Sequence, residues 1–221
     1  MKFEKKRYLP VLLVLLLFAA GSRIGAVSAK YVTERTLQSQ VTFTAKLAEK
    51  MVLEEYEAVR QSGGDYKLNT SEFTKANDYV MMPGVDIVKD PYIRITDKTD
   101  IEAYLFIEIV GHKPGSEKNG VSYTLKKEWK PVDGLPGRHG GAVYVYSDTN
   151  GTVKIKKGTL PETDGLAWVH IISGGKVYVS QHLNKSAEKF EIKFYAVMAE
   201  VVDGKSLAEI YNDAVTIPET P

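Results

Sequence analysis

Asp86 and Asp90 stand four residues apart in "MMPGVDIVKDP" (81–91). On a helix that spacing puts two carboxylates on one face, where they could share a proton or a metal ion. The flanking residues argue against a helix. Pro83 and Gly84 suit positions i+1 and i+2 of a type II turn, and Pro91 restricts Asp90 to extended geometry. In an extended chain the two aspartates lie about 13 Å apart, too far for a coupled dyad.

The other residues able to do chemistry are scattered. His112, His139, His170 and His182 are far apart, and none has a partner at helical ligand spacing. His170 beside Trp168 reads as a hydrogen-bonded structural histidine, and His139 in "GRHGG" as an exposed loop residue. No G-x-S-x-G motif supports a nucleophile elbow, and no glycine-rich phosphate loop precedes a helix. Asp148 and Asn150 in "SDTNGT" offer oxygen donors, but the remaining ligands of a calcium loop are missing. "LPETDG" (160–165) departs from a sortase signal, with Asp164 where glycine is required. Asn69, Asn150 and Asn184 satisfy N-x-[ST], which marks surface turns. No catalytic residue, cofactor or metal site is expected, and the chain reads as a non-enzyme.

These residues must be carried by strands. "VTFTAKL" alternates Val41, Phe43, Ala45 and Leu47 against Thr42, Thr44 and Lys46. "YIRI", "AYLFIEIV", "VSYTL", "AVYVYS", "TVKIKK", "WVHIIS", "KVYVS" and "KFEIKFYAVMAEV" keep the same period of two. Asn150-Gly151 signals a type I′ hairpin; "SGGK" (173–176) and "QSGGDY" (61–66) are expected to join strands in the same manner. The segment 45–60 fits a strand somewhat better than an amphipathic helix. "SLAEIYNDAV" (206–215) reads as a helix, with Ser206 as N-cap and Glu209 at the capping-box position. Many short strands at even spacing predict an all-β protein, an antiparallel sandwich or barrel with a short helix near the C-terminus.

The first 29 residues are set apart. A basic "MKFEKKRY", an apolar run from Leu9 to Ala20, and Val27 and Ala29 at the −3 and −1 positions form a secretory signal peptide with cleavage at Ala29. A retained N-terminal anchor is the other reading. The apolar run is shorter than the roughly 20 residues of a spanning helix, so membrane contact is expected only through this segment, before cleavage. Residues 30–217 then form a single sandwich domain, and 218–221 a loose tail. The whole chain has 29 basic and 28 acidic residues. The leader holds five of the first and one of the second, so the remainder is net acidic by three. That is no nucleic-acid footprint. There is no cysteine, so an exported fold must hold without disulfides.

A turn "MPG" followed by "DIVKDPYIRITDKTDIEAYLFIEIV" resembles the signature of the TasA–camelysin group. The matching positions are Pro83-Gly84, Lys89-Asp90-Pro91, Thr96 to Asp100, and Ala103-Tyr104. "AKYVTERTLQSQVTFTAKLAEK" resembles that group's junction after the signal, with Tyr31-Val32 in place of the usual phenylalanine. "FYAVMAEVVDG" with "LAEIYNDAV" resembles its last strand and helix. The resemblance implies a jelly-roll-like antiparallel β-sandwich, export through a signal peptidase of the SipW type in a Gram-positive bacterium, and a place at the cell surface or in a biofilm matrix. It also implies self-association or contact with other matrix proteins. Fibre assembly by strand addition is expected to use residues 31–47, with Tyr31, Val41, Phe43 and Leu47 as donor-strand residues. The alternative is a secreted carbohydrate- or protein-binding module. The strand aromatics read first as packing; Trp129 in "KKEWKPV" is the candidate ligand contact.

Overall fold

The computed structural model describes residues 33–41, 47, 50–157, 168–182 and 191–216, with the backbone alone over 33–41. The described strands are β1 (Thr33–Val41), β2 (Met51–Arg60), β3 (Tyr66–Thr74), β4 (Ala76–Met81), β5 (Ile87–Val88), β6 (Tyr92–Ile95), β7 (Ala103–Gly111) and β8 (Glu117–Lys118). They continue with β9 (Val121–Ser122), β10 (Trp129–Pro136), β11 (Ala142–Asp148), β12 (Gly151–Thr152), β13 (Lys154–Ile155), β14 (Trp168–His170), β15 (Lys176–Val179) and β16 (Ile192–Glu200). One helix follows, α1 (Leu207–Thr216).

Alternation along the central strands explains the layers. In β7, Leu105, Ile107 and Ile109 point to one side and Phe106 and Glu108 to the other. Its antiparallel ladder with β16 runs from Ala103↔Glu200 to Gly111↔Ile192. Around this pair the large sheet is ordered β10-β11-β7-β16-β1-β4, with β12 on β11 and β13 on β7. Two smaller sheets lie across its inner face, β14-β6-β2-β3 and β5-β15-β9-β8. One buried cluster joins all three. It draws Ile107, Phe194 and Met198 from the large sheet, Leu53, Ile93 and Val169 from the second, and Val121 and Val177 from the third. The architecture is therefore an all-β sandwich, as the period-two pattern predicts. Among the described strands pairing is antiparallel except between β1 and β16, where Ser39, Gln40 and Val41 lie parallel to Phe194, Tyr195 and Ala196.

The large sheet is covered on its outer face as well. Phe106, Val143, Val145 and Val197 pack under Ile210, Tyr211 and Ala214 of α1. The helix starts where the capping box predicts. Ser206 donates its backbone N–H and hydroxyl to Glu209 Oε2 at 2.8 and 2.7 Å, and its Oγ accepts the Glu209 N–H at 3.3 Å. Hydrogen bonding from the Ser206 backbone and side chain holds the exposed Glu209 carboxyl below its ordinary range.

The segment 45–60 resolves as strand over 51–60. A bulge between Tyr56 and Glu57 shifts the register of β2 on β3, which loosens the alternation that a sequence pattern relies on. The turn at Pro83-Gly84 forms as expected, with Val85 N–H donating to Met82 C=O at 3.1 Å and Gly84 at φ +75°. Two turn expectations are corrected. Asp148 pairs with Gly151, so the hairpin tip is Thr149-Asn150. Neither residue has positive φ, which excludes type I′; an Asp148 carboxylate accepting the Asn150 N–H at 2.7 Å shapes the turn instead. "SGGK" is no hairpin, because β14 pairs with β6 whereas β15 pairs with β5 and β9. It carries the chain from one sheet to the next.

Candidate functional sites

β1 is the first described strand and an inner one. It pairs antiparallel with β4 from Thr33↔Met81 to Gln38↔Ala76, then parallel with β16. The backbone thus holds it on both edges. Of the residues expected on a donor strand, Val41 ends β1 opposite Ala196. Leu47 lies beyond the strand, 5% exposed in the sandwich core, and is corrected to a core residue. Tyr31 and Phe43 lie outside the described residues, as does the expected cleavage point at Ala29.

Trp129 is likewise corrected. It is 4% exposed, its ring edge meets Tyr146 at 5.3 Å, and its Nε1–H donates to His170 C=O at 3.0 Å. A ligand has no access to a ring so enclosed. The charged neighbours in "KKEWKPV" do mark an edge, since Lys127 and Glu128 form the turn that leads into β10 and β10 is the outermost strand of the large sheet, yet the Trp129 ring itself turns into the core.

Among the described residues three aromatic side chains are well exposed: Tyr178 stands alone on β15 of the third sheet, whereas Phe73 and Trp168 share the outer face of the second sheet. Across β2, β6 and β14 the register aligns Glu54, Tyr92 and His170 in one row, and Val52, Arg94 and Trp168 in the next. Tyr56 faces Phe73 across β2 and β3. Phe73 is 47% exposed and Trp168 42%. Tyr56 stacks on Phe73 at 5.1 Å, Phe73 meets Trp168 at 6.1 Å, and Trp168 leans on Tyr92 at 4.8 Å. Tyr92 is buried under its neighbours, with a hydroxyl that has no hydrogen-bond partner among the described residues. Burial, then Glu54, pushes that phenol above its ordinary range. Two polar pairs flank the rings: an ion pair, Arg94 Nε to Glu54 Oε1 at 2.8 Å, and a histidine–carboxylate contact, His170 Nδ1 to Asp90 Oδ1 at 2.9 Å. Arg94 also lies 5.9 Å from the Trp168 ring centre. Asp90 thus pairs with His170, eighty residues on, and not with Asp86.

Behind this face Glu55 points inward and meets Lys89. Both are buried, at 1% and 0% exposure, with Lys89 Nζ 2.6 and 2.7 Å from the two carboxylate oxygens. Burial pulls the Lys89 ammonium below its ordinary range, against the attraction of Glu55. Tyr79 closes the pocket, its ring centre 5.8 Å from Nζ.

The outer face of the large sheet holds a further buried carboxylate, Glu108. Its Oε1 accepts the backbone N–H groups of His139 and Gly141 at 2.8 and 2.9 Å. Its Oε2 accepts the Tyr211 hydroxyl at 3.1 Å and lies 3.0 Å from His139 Nδ1. The imidazole stacks on Tyr195 at 3.8 Å. Gly137 is required here, since a Cβ on it would stand 2.2 Å from the Glu108 Cδ. The arrangement ties the 137–141 loop down and is structural chemistry. Among the described residues no group of three or more His, Asp or Glu converges enough to hold a metal ion. Compared with known families, curated proteins and solved structures, the chain finds no significant match.

Proposed function

We propose that this chain is an exported, non-enzymatic subunit of a cell surface or extracellular matrix, and that it assembles by exchanging β1 between neighbours. The observation that carries this reading is the placement of β1 between β16 and β4. A leading strand in that position leaves two facing edges when it is withdrawn. Unpaired edges template strand addition, and the β1 of a second copy completes them with the same hydrogen bonds. The sequence resemblance to TasA and camelysin proteins and the leader-like first 29 residues support the same reading. Removal of the leader by a SipW-type peptidase at Ala29 would free the arm that precedes β1.

Negative-stain microscopy of residues 30–221 tests the proposal. Fibres or chains of subunits are expected from this form and not from residues 42–221. A synthetic peptide spanning 30–42 is expected to raise the melting temperature of the shorter form without polymerising it. Monomers from the longer form at every concentration and salt would overturn strand exchange.

A further inference from the structure

The outer face of the second sheet has no role in strand exchange, and its chemistry points to a ligand of its own. We propose that it binds a neutral glycan, with sugar rings stacked on Phe73 and Trp168 and hydroxyls bonded to the flanking Glu54–Arg94 and Asp90–His170 pairs. Contiguous exposed rings are unusual on a protein surface and mark a contact site. These rings are braced in advance. Trp168 rests on Tyr92 and lies beside Arg94, and Phe73 rests on Tyr56, so little ordering remains to be done when a ligand stacks.

The polar groups select the occupant. One guanidinium and one imidazole stand against two carboxylates, which leaves no cationic excess for a phosphate, a uronate or an anionic membrane. An apolar protein surface would have to strip water from the Arg94–Glu54 ion pair and from the Asp90 carboxylate, an expensive step with little return. A polyol does not impose that cost. Its hydroxyls both donate and accept, and replace the water on the guanidinium, imidazole and carboxylates bond for bond. Its C–H faces cover the rings. Rings with a few oriented polar groups at their margin are the composition of a small-ligand site.

The two tryptophans make the test direct, because Trp129 is buried and Trp168 is exposed. The purified protein is titrated with a neutral cellulose ether, laminarin or dextran while tryptophan emission is followed, and binding is measured in parallel by affinity gel electrophoresis. At least one polysaccharide is expected to shift emission to the blue and retard the band. Trp168→Ala and Phe73→Ala should each weaken binding by about tenfold or more, and Trp129→Phe should retain the emission shift. No response to any of the three polymers overturns the proposal. So does retardation that both variants preserve, which would put the sugar elsewhere. Binding to phosphatidylglycerol vesicles or self-association that depends on Trp168, in the absence of glycan binding, would identify the face as a membrane or protein surface and equally overturn it.

Discussion

The two outer faces of the sandwich differ in who covers them. On the large sheet, Phe106 is 0% exposed and Val143, Val145 and Val197 are 2% exposed, because α1 and the 137–141 loop close over them. On the second sheet, Phe73 and Trp168 are 47% and 42% exposed. The covered face is mostly aliphatic, with its one carboxylate saturated by four hydrogen-bonding partners. The open face is built from rings and polar pairs that tolerate water. A face meant for the chain's own helix needs close-packed aliphatic shape; a face left bare needs groups that remain soluble and can still bind.

Three substitutions probe that difference. The largest effect is expected from Tyr211→Ala. This removes a fully buried ring that meets Phe106 edge-on at 5.5 Å and a hydroxyl bonded to Glu108. Urea unfolding should show a loss of about 3–5 kcal/mol. A loss under about 1 kcal/mol would mean that α1 is a loose cover and the two faces are alike.

Glu108→Gln should have an intermediate effect, about 1–3 kcal/mol, since an amide presents N–H groups where the carboxylate accepts them. Amide hydrogen exchange gives a local readout. The His139 and Gly141 N–H groups should lose protection in the variant, and unchanged exchange would show that Glu108 does not hold the loop. Phe73→Thr, on the open face, should change stability by no more than about 0.5 kcal/mol. A cost near that of Tyr211→Ala would make the open face part of the core and erase the contrast.

Much of the fold was legible because it rests on local rules. The alternation in "AYLFIEIV" and "KFEIKFYAVMAEV" identifies β7 and β16, and Ser206 with Glu209 places the start of α1. The Pro83-Gly84 turn follows from the conformations those two residues favour. The open face was less legible, for a physical reason. "YIRI" and "WVH" each show which residues share a side, Tyr92 with Arg94 and Trp168 with His170. Nothing local states that β14 pairs with β6 in the register that sets Trp168 against Arg94. Tyr56 and Phe73 are harder still to bring together, because a bulge shifts their register and Tyr56 lies in a segment that fits a strand only somewhat better than a helix. The charges around Trp129 correctly signal an edge strand, but an edge strand still turns one side to the core, and Trp129 is on that side. Lys89 shows the converse: a lysine in "DIVKDP" looks like a surface residue until Glu55, far away in sequence, meets it in the core.

The mixed pairing of β1 bears on how the molecule would carry load. A strand zipped along one edge can be peeled away one hydrogen bond at a time. β1 is held by six register pairs to β4 on one side and three to β16 on the other. The two sets fall on successive stretches, Thr33 to Gln38 and Ser39 to Val41, so tension along the strand axis loads the ladder to β4 and the ladder to β16 in shear. Handed from one subunit to the next, such a strand would form a joint that resists stretching much better than bending.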